Sequence, residues 1–276
     1  MRLATIRGGG RTAAVRVDDD AAVEVGADDV GALLADPAWR DRAATADGTA
    51  HPLGGLDYAP VVPRPGKIIC VGLNYRTHIL EMGREPPEYP ALFAKYTESL
   101  IGPYDDIVLP AASPAVDWEA ELAVIVGSPV RHAGEEAARA AIAGYSVLND
   151  VSVRDFQNRT PQWLQGKTFE ATTPLGPALV TADEVPADGM ELTCEVDGEV
   201  MQRSHTSDLV FDPVTLVAYI SGILTLRPGD VIATGTPGGV GHARKPPRYL
   251  TGGSKVRTRV AGVGELVNTA RAEATR

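Results

Sequence analysis

The stretch Asp117–Val126 reads DWEAELAVIV, and it constrains the fold more than any other part of the chain. Trp118, Ala120, Leu122, Val124 and Val126 alternate along it, so as a strand they share one face, with Glu119 and Glu121 on the other. At ~3.3 Å of rise per residue the two glutamate Cα atoms lie ~6.6 Å apart, near enough for both carboxylates to reach one ion. Asp150 ends a second strand candidate, Gly144–Asp150, and is placed to supply a third ligand. A set of carboxylates without His or Cys suits a hard cation, Mg²⁺ or Mn²⁺ ahead of Ca²⁺. The same alternation also describes the solvated face of an edge strand, and spacing by itself does not separate the two.

Further strand-like runs punctuate the chain: Leu3–Ile6, Ala13–Val17, Lys67–Leu73, Tyr145–Leu148, Leu192–Val196, Val231–Thr234 and Val256–Val260. Helical patterns are fewer, at Val30–Leu34, Glu135–Ile142 and Val214–Leu224. With 29 Gly and 21 Pro among 276 residues, turns are frequent, which suits many short strands better than a helix bundle. The expectation is an α+β, β-rich fold without the regular alternation of a parallel α/β sheet. Pro60, Pro63 and Pro65 make Ala59–Gly66 read as a stiff linker. It divides a small N-terminal α+β unit, residues 1–65, from a larger one, residues 66–276.

A net charge of −10 leaves no basic stripe for phosphates, so nucleic acid is not an expected partner. An anionic substrate needs local cations. Two cysteines, Cys70 and Cys194, without a CxxC pair argue against a disulfide framework or structural zinc. The N-terminus lacks the apolar stretch of a signal peptide, and no apolar run approaches the ~20 residues that span a bilayer. The expected compartment is the cytoplasm, with no membrane partner.

Five stretches taken in order resemble the fumarylacetoacetate hydrolase family: Cys70–His78 (CVGLNYRTH), Asp117–Gly127 (DWEAELAVIVG), Ala143–Gln157 (AGYSVLNDVSVRDFQ), Gly166–Phe169 (GKTF) and Pro228–Gly241 (PGDVIATGTPGGVG). The resemblance covers residues ~67–268, and the N-terminal region follows it only loosely. It implies a mixed β-roll catalytic domain, a homodimer, and Mg²⁺ held by Glu119, Glu121 and Asp150. It also points to His78 as general base with Glu81 completing a dyad, and to Arg154, Gln157, Lys167 and Thr236 around substrate or water. Glu170 stands where an Asp is more usual in the family, and Gly252–Val256 (GGSKV) replaces a Gly-Asp turn.

By themselves these residues also read as a surface His–Glu pair and solvated cations, but their types and spacing are compatible with the roles the resemblance implies. His78 and Glu81, three apart, share one face of a helical turn, where a carboxylate fixes the imidazole tautomer. Arg154 suits bidentate carboxylate binding, and Lys167 offers a compact charge against a developing enolate. Gln157 is placed to bond a substrate oxygen or water. The Gly-rich Thr234–Gly241 lacks the Gly-Lys-Ser/Thr ending of a phosphate loop; its backbone and Thr236 hydroxyl suit a carboxylate better. The polar, Pro-rich Asn74–Pro90 reads as a lid. Cys70 and Ser146 read as strand residues, His132 and His242 as surface residues, and His205 as near the rim of the site.

The expected chemistry is cleavage of a carbon–carbon bond in a small 2,4-dioxo acid, an acylpyruvate or fumarylpyruvate type, by water that His78 deprotonates. Lys167 would face the enolate. Decarboxylation or isomerisation of a related oxo-diacid, such as an oxaloacetate-like acid, uses the same site. A binding protein that has lost its chemistry is the third possibility.

Overall fold

The computed structural model describes residues 1–81 and 83–274. Its main sheet runs, in spatial order, Ala50–Pro52, Ala21–Glu24, Arg11–Val17, Arg2–Gly8, Thr173–Thr181, Ile142–Asn149, Ala120–Val126, Val231–Ala233, Ile68–Gly72 and Ala91–Lys95. A second, five-stranded sheet orders Glu199–His205, Glu191–Val196, Lys255–Val260, Gly264–Ala272 and Ile107–Leu109. Most pairs are antiparallel, but Val231–Ala233 lies parallel to Ile68–Gly72, so both sheets are mixed or adjoin mixed pairs. The β-rich α+β class expected from turn frequency is the class observed.

Ala120–Val126 is a central strand, and every one of its residues is buried. On one face Ala120 and Leu122 meet Leu192, Cys194 and Val256 of the second sheet. Farther along that face, Val124 and Val126 pack with Val214, Val217 and Ile220 of the helix Pro213–Ile223. On the opposite face Ala123 and Ile125 join Leu33, Leu34 and Trp39 of the N-terminal helices. The solvated-edge alternative for the Glu119 face is thereby excluded. Pro213–Ile223 starts where its sequence says it should: the Asp212 carboxylate accepts from Thr215 N–H at 2.8 Å and Pro213 opens the first turn.

Two local readings need correction. Glu135–Ile142 is helical only to Ala140, because Ile142 already begins the next strand of the sheet. Ala59–Gly66 is no solvated spacer. Val61 and Val62 are buried, and Val61 N–H donates to Leu175 O at 3.2 Å. The prolines stiffen a segment whose valines anchor it in the core. The N-terminal strands themselves continue the main sheet, with Leu3 opposite Leu179. No helix among the described residues is long and apolar enough to cross a membrane.

Candidate active site

Antiparallel register assembles the acidic group. Ala120 lies opposite Asn149 and Glu121 opposite Leu148, so Glu119 comes opposite Asp150, whose N–H donates to Glu119 O at 2.8 Å. Opposed residues share a face, as do residues two apart, so all three side chains project together. Their ligand oxygens lie within 4.8 Å of one another, with Glu119, Glu121 and Asp150 exposed by only 7%, 1% and 0%. The strand breaks at Trp118 and Glu119, where the Glu119 N–H turns to the Asn149 side-chain oxygen at 2.9 Å.

Like charges at this spacing repel by roughly 3–4 kcal/mol per pair at an effective dielectric near 20. Cations offset much of this. Lys167 Nζ sits 2.6 Å from Glu119 Oε2 and 2.8 Å from Asp150 Oδ2. Arg154 Nη1 reaches Glu119 Oε1 at 2.6 Å, and its Nε reaches Asp117 Oδ2 at 2.7 Å. Lys95 Nζ holds Asp150 Oδ1 at 2.6 Å. Burial would raise Asp150, but Lys167 and Lys95 outweigh it and hold the carboxyl below its usual range. Burial would also deprotonate Lys167 more readily; Asp150 and Glu119 more than reverse this, and the amine stays an ammonium.

Glu121 is the exception. Among the described residues no cation pairs with it, and its one hydrogen bond comes from Gly235 N–H at 2.7 Å. Burial, then Asp150 and Glu119, push its carboxyl well above the usual range. If all four carboxylates (Asp117, Glu119, Glu121, Asp150) ionised, they would face three cations (Lys95, Arg154, Lys167) and one negative charge would be left over, which is the charge Glu121 resists taking. A buried oxygen cluster whose full ionisation needs one more positive charge fits a hard divalent cation. Such an ion would leave the floor with net positive charge, suited to an acid.

Above this floor lies a cavity of about 290 Å³, lined among others by His78, Arg154, Gln157, Lys167, Thr236 and His242. Gly166 explains how the cations converge. A Cβ there would come within 2.4 Å of Gln157 N, so only glycine lets the short helices Arg154–Gln157 and Leu164–Lys167 pack this closely. Lys167 thus ends a short helical turn in which it and Gly166 are buried. Gly235 adopts φ of +99°, a conformation in which it aims its N–H at Glu121.

The other expected residues fall as follows. Gln157 Oε1 accepts from Arg154 Nη1 at 2.9 Å. The Thr236 hydroxyl donates to Ala120 O at 3.0 Å and accepts from Gln202 at 2.8 Å, so its hydrogen is engaged by the scaffold. His78 and Glu81 share the helix Arg76–Glu81 as expected, but Nδ1 stands 3.9 Å from Oε2, and the glutamate side chain is 66% exposed. His242 is exposed, as read, and also lines the cavity. Its backbone follows Gly241 onto Asp117, which swings the ring to the mouth. His205 turns instead to Ser207, 2.7 Å away, and Glu170 is exposed.

Sequence reasoning passed over Lys95, Asp117 and Gln202. Lys95 ends the apolar strand Ala91–Lys95, with a side chain that is fully buried. A charge closing an apolar run was the available signal. Asp117 stood inside the quoted motif without a role. Gln202 gives no sign in sequence of its bonds to Ala120 N–H and the Thr236 loop.

Fold and site define a class: a buried carboxylate cluster able to hold a divalent cation, under a small cationic cavity, on a mixed β fold. The chain belongs to the fumarylacetoacetate hydrolase family, since the family model for the fumarylacetoacetate (FAA) hydrolase C-terminal region matches residues 67–271. It is 44% identical over 230 residues to the mitochondrial oxaloacetate tautomerase Fahd2a of Rattus norvegicus, covering 82% of this chain and 73% of that one. A fumarylacetoacetate hydrolase from Exiguobacterium antarcticum superposes with a TM-score of 0.89 at 33% identity, over 99% of this chain and 100% of the other. The maleylpyruvate hydrolase of Sphingobium sp. SYK-6, solved with manganese (II) and pyruvate, has a TM-score of 0.80 at 30% identity, over 99% and 100% of the two chains.

Proposed function

We propose that this chain is a tautomerase of a small 2-oxo-diacid of the oxaloacetate type, with Mg²⁺ or Mn²⁺ held by Glu119, Glu121 and Asp150. One observation carries the choice of reaction. The acidic and cationic floor is tightly paired at 2.6–2.8 Å, whereas the His78–Glu81 pair that would activate a water stands 3.9 Å apart. A proton shift needs one imidazole and no activated water. The 44% identity to an oxaloacetate tautomerase supports the same reading.

A divalent cation in the carboxylate cluster would supply Lewis acidity to the substrate's oxygens. Arg154, with a buried Nη2 that has no partner among the described residues, offers a free donor for a carboxylate. The Lys167 ammonium places positive charge where negative charge grows as the carbon next to the oxo group loses its proton. His78 takes that proton and returns it to the oxo oxygen, giving the enol; the reverse order gives the keto acid. Phe93 and Trp163, edge to face at 5.4 Å, form the apolar wall that limits water.

Cleavage of an acylpyruvate is the second reading. It is favoured by the placement of His78 and Glu81 on one helical turn and by the likeness to a maleylpyruvate hydrolase. Enol decay, CO₂ release and acylpyruvate cleavage should be followed with Mg²⁺, with Mn²⁺ and in EDTA. Metal-dependent keto–enol exchange well above the other two rates is expected. Acylpyruvate cleavage as the dominant activity would replace this reading by the second, and full activity in EDTA would sink both. A homodimer in the cytoplasm belongs to the same proposal, and light scattering on the eluted protein tests its stoichiometry.

A further inference from the structure

Asp117 has no place in the chemistry above, yet its carboxylate is among the most heavily bonded groups in the protein. It is fully buried. Oδ1 accepts from Trp118 N–H at 2.8 Å and Gly241 N–H at 2.7 Å. Oδ2 accepts from His242 N–H at 2.9 Å and Arg154 Nε at 2.7 Å. Four donors saturate the two oxygens, so nothing remains for a metal or a substrate. The backbone donors come from the strand break before Glu119 and from the far end of the Gly-rich loop. The fourth is the Arg154 guanidinium, which lines the cavity.

We infer that Asp117 is a positioning residue for substrate carboxylate binding, locking the Arg154 guanidinium and the 234–242 loop to each other. The geometry of Arg154 supports this. Nε is taken by Asp117 and Nη1 by Glu119 and Gln157, while Nη2 is buried and unpartnered among the described residues. Two fixed edges of a planar group determine where the third points, and here the third is left for a ligand. The same carboxylate holds Gly241 and His242, so the loop that carries Thr236 and Val240 keeps its distance from Arg154. A buried carboxylate that bridges two cavity walls sets the width of the anion slot. An asparagine keeps the shape but supplies an N–H where one of four donors now points, and it removes the charge opposite Arg154.

The inference rests on the reading that this floor binds a 2-oxo acid. It is tested with oxalate as probe, by calorimetry on the Mn²⁺-loaded protein, beside Mn²⁺ titration alone. For Asp117→Asn the oxalate Kd should rise about 10- to 100-fold, the worth of a charge-assisted hydrogen bond. Mn²⁺ affinity should stay within about threefold, and in turnover KM should rise far more than kcat falls. In an Arg154→Gln background Asp117→Asn should add less than about threefold, since its route is already cut. If Asp117→Asn does not fold, Asp117→Glu, which shifts the charge by one methylene, should show the same split. Unchanged oxalate affinity in a folded variant, full additivity with Arg154→Gln, or equal losses in Mn²⁺ and oxalate binding would each overturn the inference. Failure of the wild-type protein to bind oxalate with Mn²⁺ would instead overturn the oxo-acid reading beneath it.

Discussion

The floor of the cavity and its rim are built on different principles. Below, Lys95, Lys167, Arg154 and three carboxylates are all under a tenth exposed, and their ion pairs close at 2.6–2.8 Å. Above, His78 and Glu81 sit on a six-residue helix, with side chains 17% and 66% exposed and 3.9 Å apart. Buried pairs cost 3–5 kcal/mol to break from one side, whereas exposed pairs are worth about 0–1 kcal/mol. The floor is therefore preorganised by folding itself. The rim has little energy holding it in one arrangement and is free to adjust to what binds. Binding and chemistry should separate along this line.

The largest expected effect comes from the floor. Glu121→Gln or Asp150→Asn should lower turnover by 10³-fold or more and abolish Mn²⁺ binding by calorimetry, since the cluster loses a ligand. Retained Mn²⁺ affinity would show that the ion sits elsewhere. His78→Ala breaks the comparison from the other side: a fall in kcat of about 10²- to 10⁴-fold with Mn²⁺ and oxalate affinities unchanged. Loss of metal affinity in this variant would join rim to floor. Lys95→Met should weaken Mn²⁺ binding by roughly 10- to 100-fold, because Asp150 loses the partner that orients Oδ1. Its unfolding in urea should show a loss smaller than the ~3–5 kcal/mol of a fully stranded buried charge, because Lys167 still pairs with Asp150. The smallest effect falls on Glu81→Ala. Keto–enol exchange should change less than about tenfold, whereas any acylpyruvate cleavage should drop further, because only that reaction asks the dyad to activate water.

Much of the site was legible in the linear sequence because its parts are local. Glu119 and Glu121 are two apart on one strand, His78 and Glu81 three apart on one helical turn, and Arg154 and Gln157 three apart on another. Periodicity places each pair on a common face without knowledge of anything else. The ordered motifs then joined them into one family pattern. Lys95, Asp117 and Gln202 were not legible in this way. Their partners lie 55, 37 and 34 residues away for the closest contacts that matter: Asp150, Arg154 and Thr236. No local period links such pairs. The prolines of Ala59–Gly66 misled for the same reason: they report backbone stiffness, and burial of Val61 and Val62 is decided by what packs over them.

The sequence by itself determined which residues carry oxygen ligands and charge, which short runs are strands, and the family to which they conform. Hydrophobic alternation and side-chain chemistry are properties of neighbours along the chain. Only the tertiary structure decided that Ala120–Val126 is a central strand and that Asp150 lies opposite Glu119. It also decided that, of the four carboxylates at the site, Glu121 alone has no cation partner among the described residues, and that Asp117 spans two cavity walls. Register and charge balance are sums over segments distant in sequence, so they exist only once the sheets have closed around them.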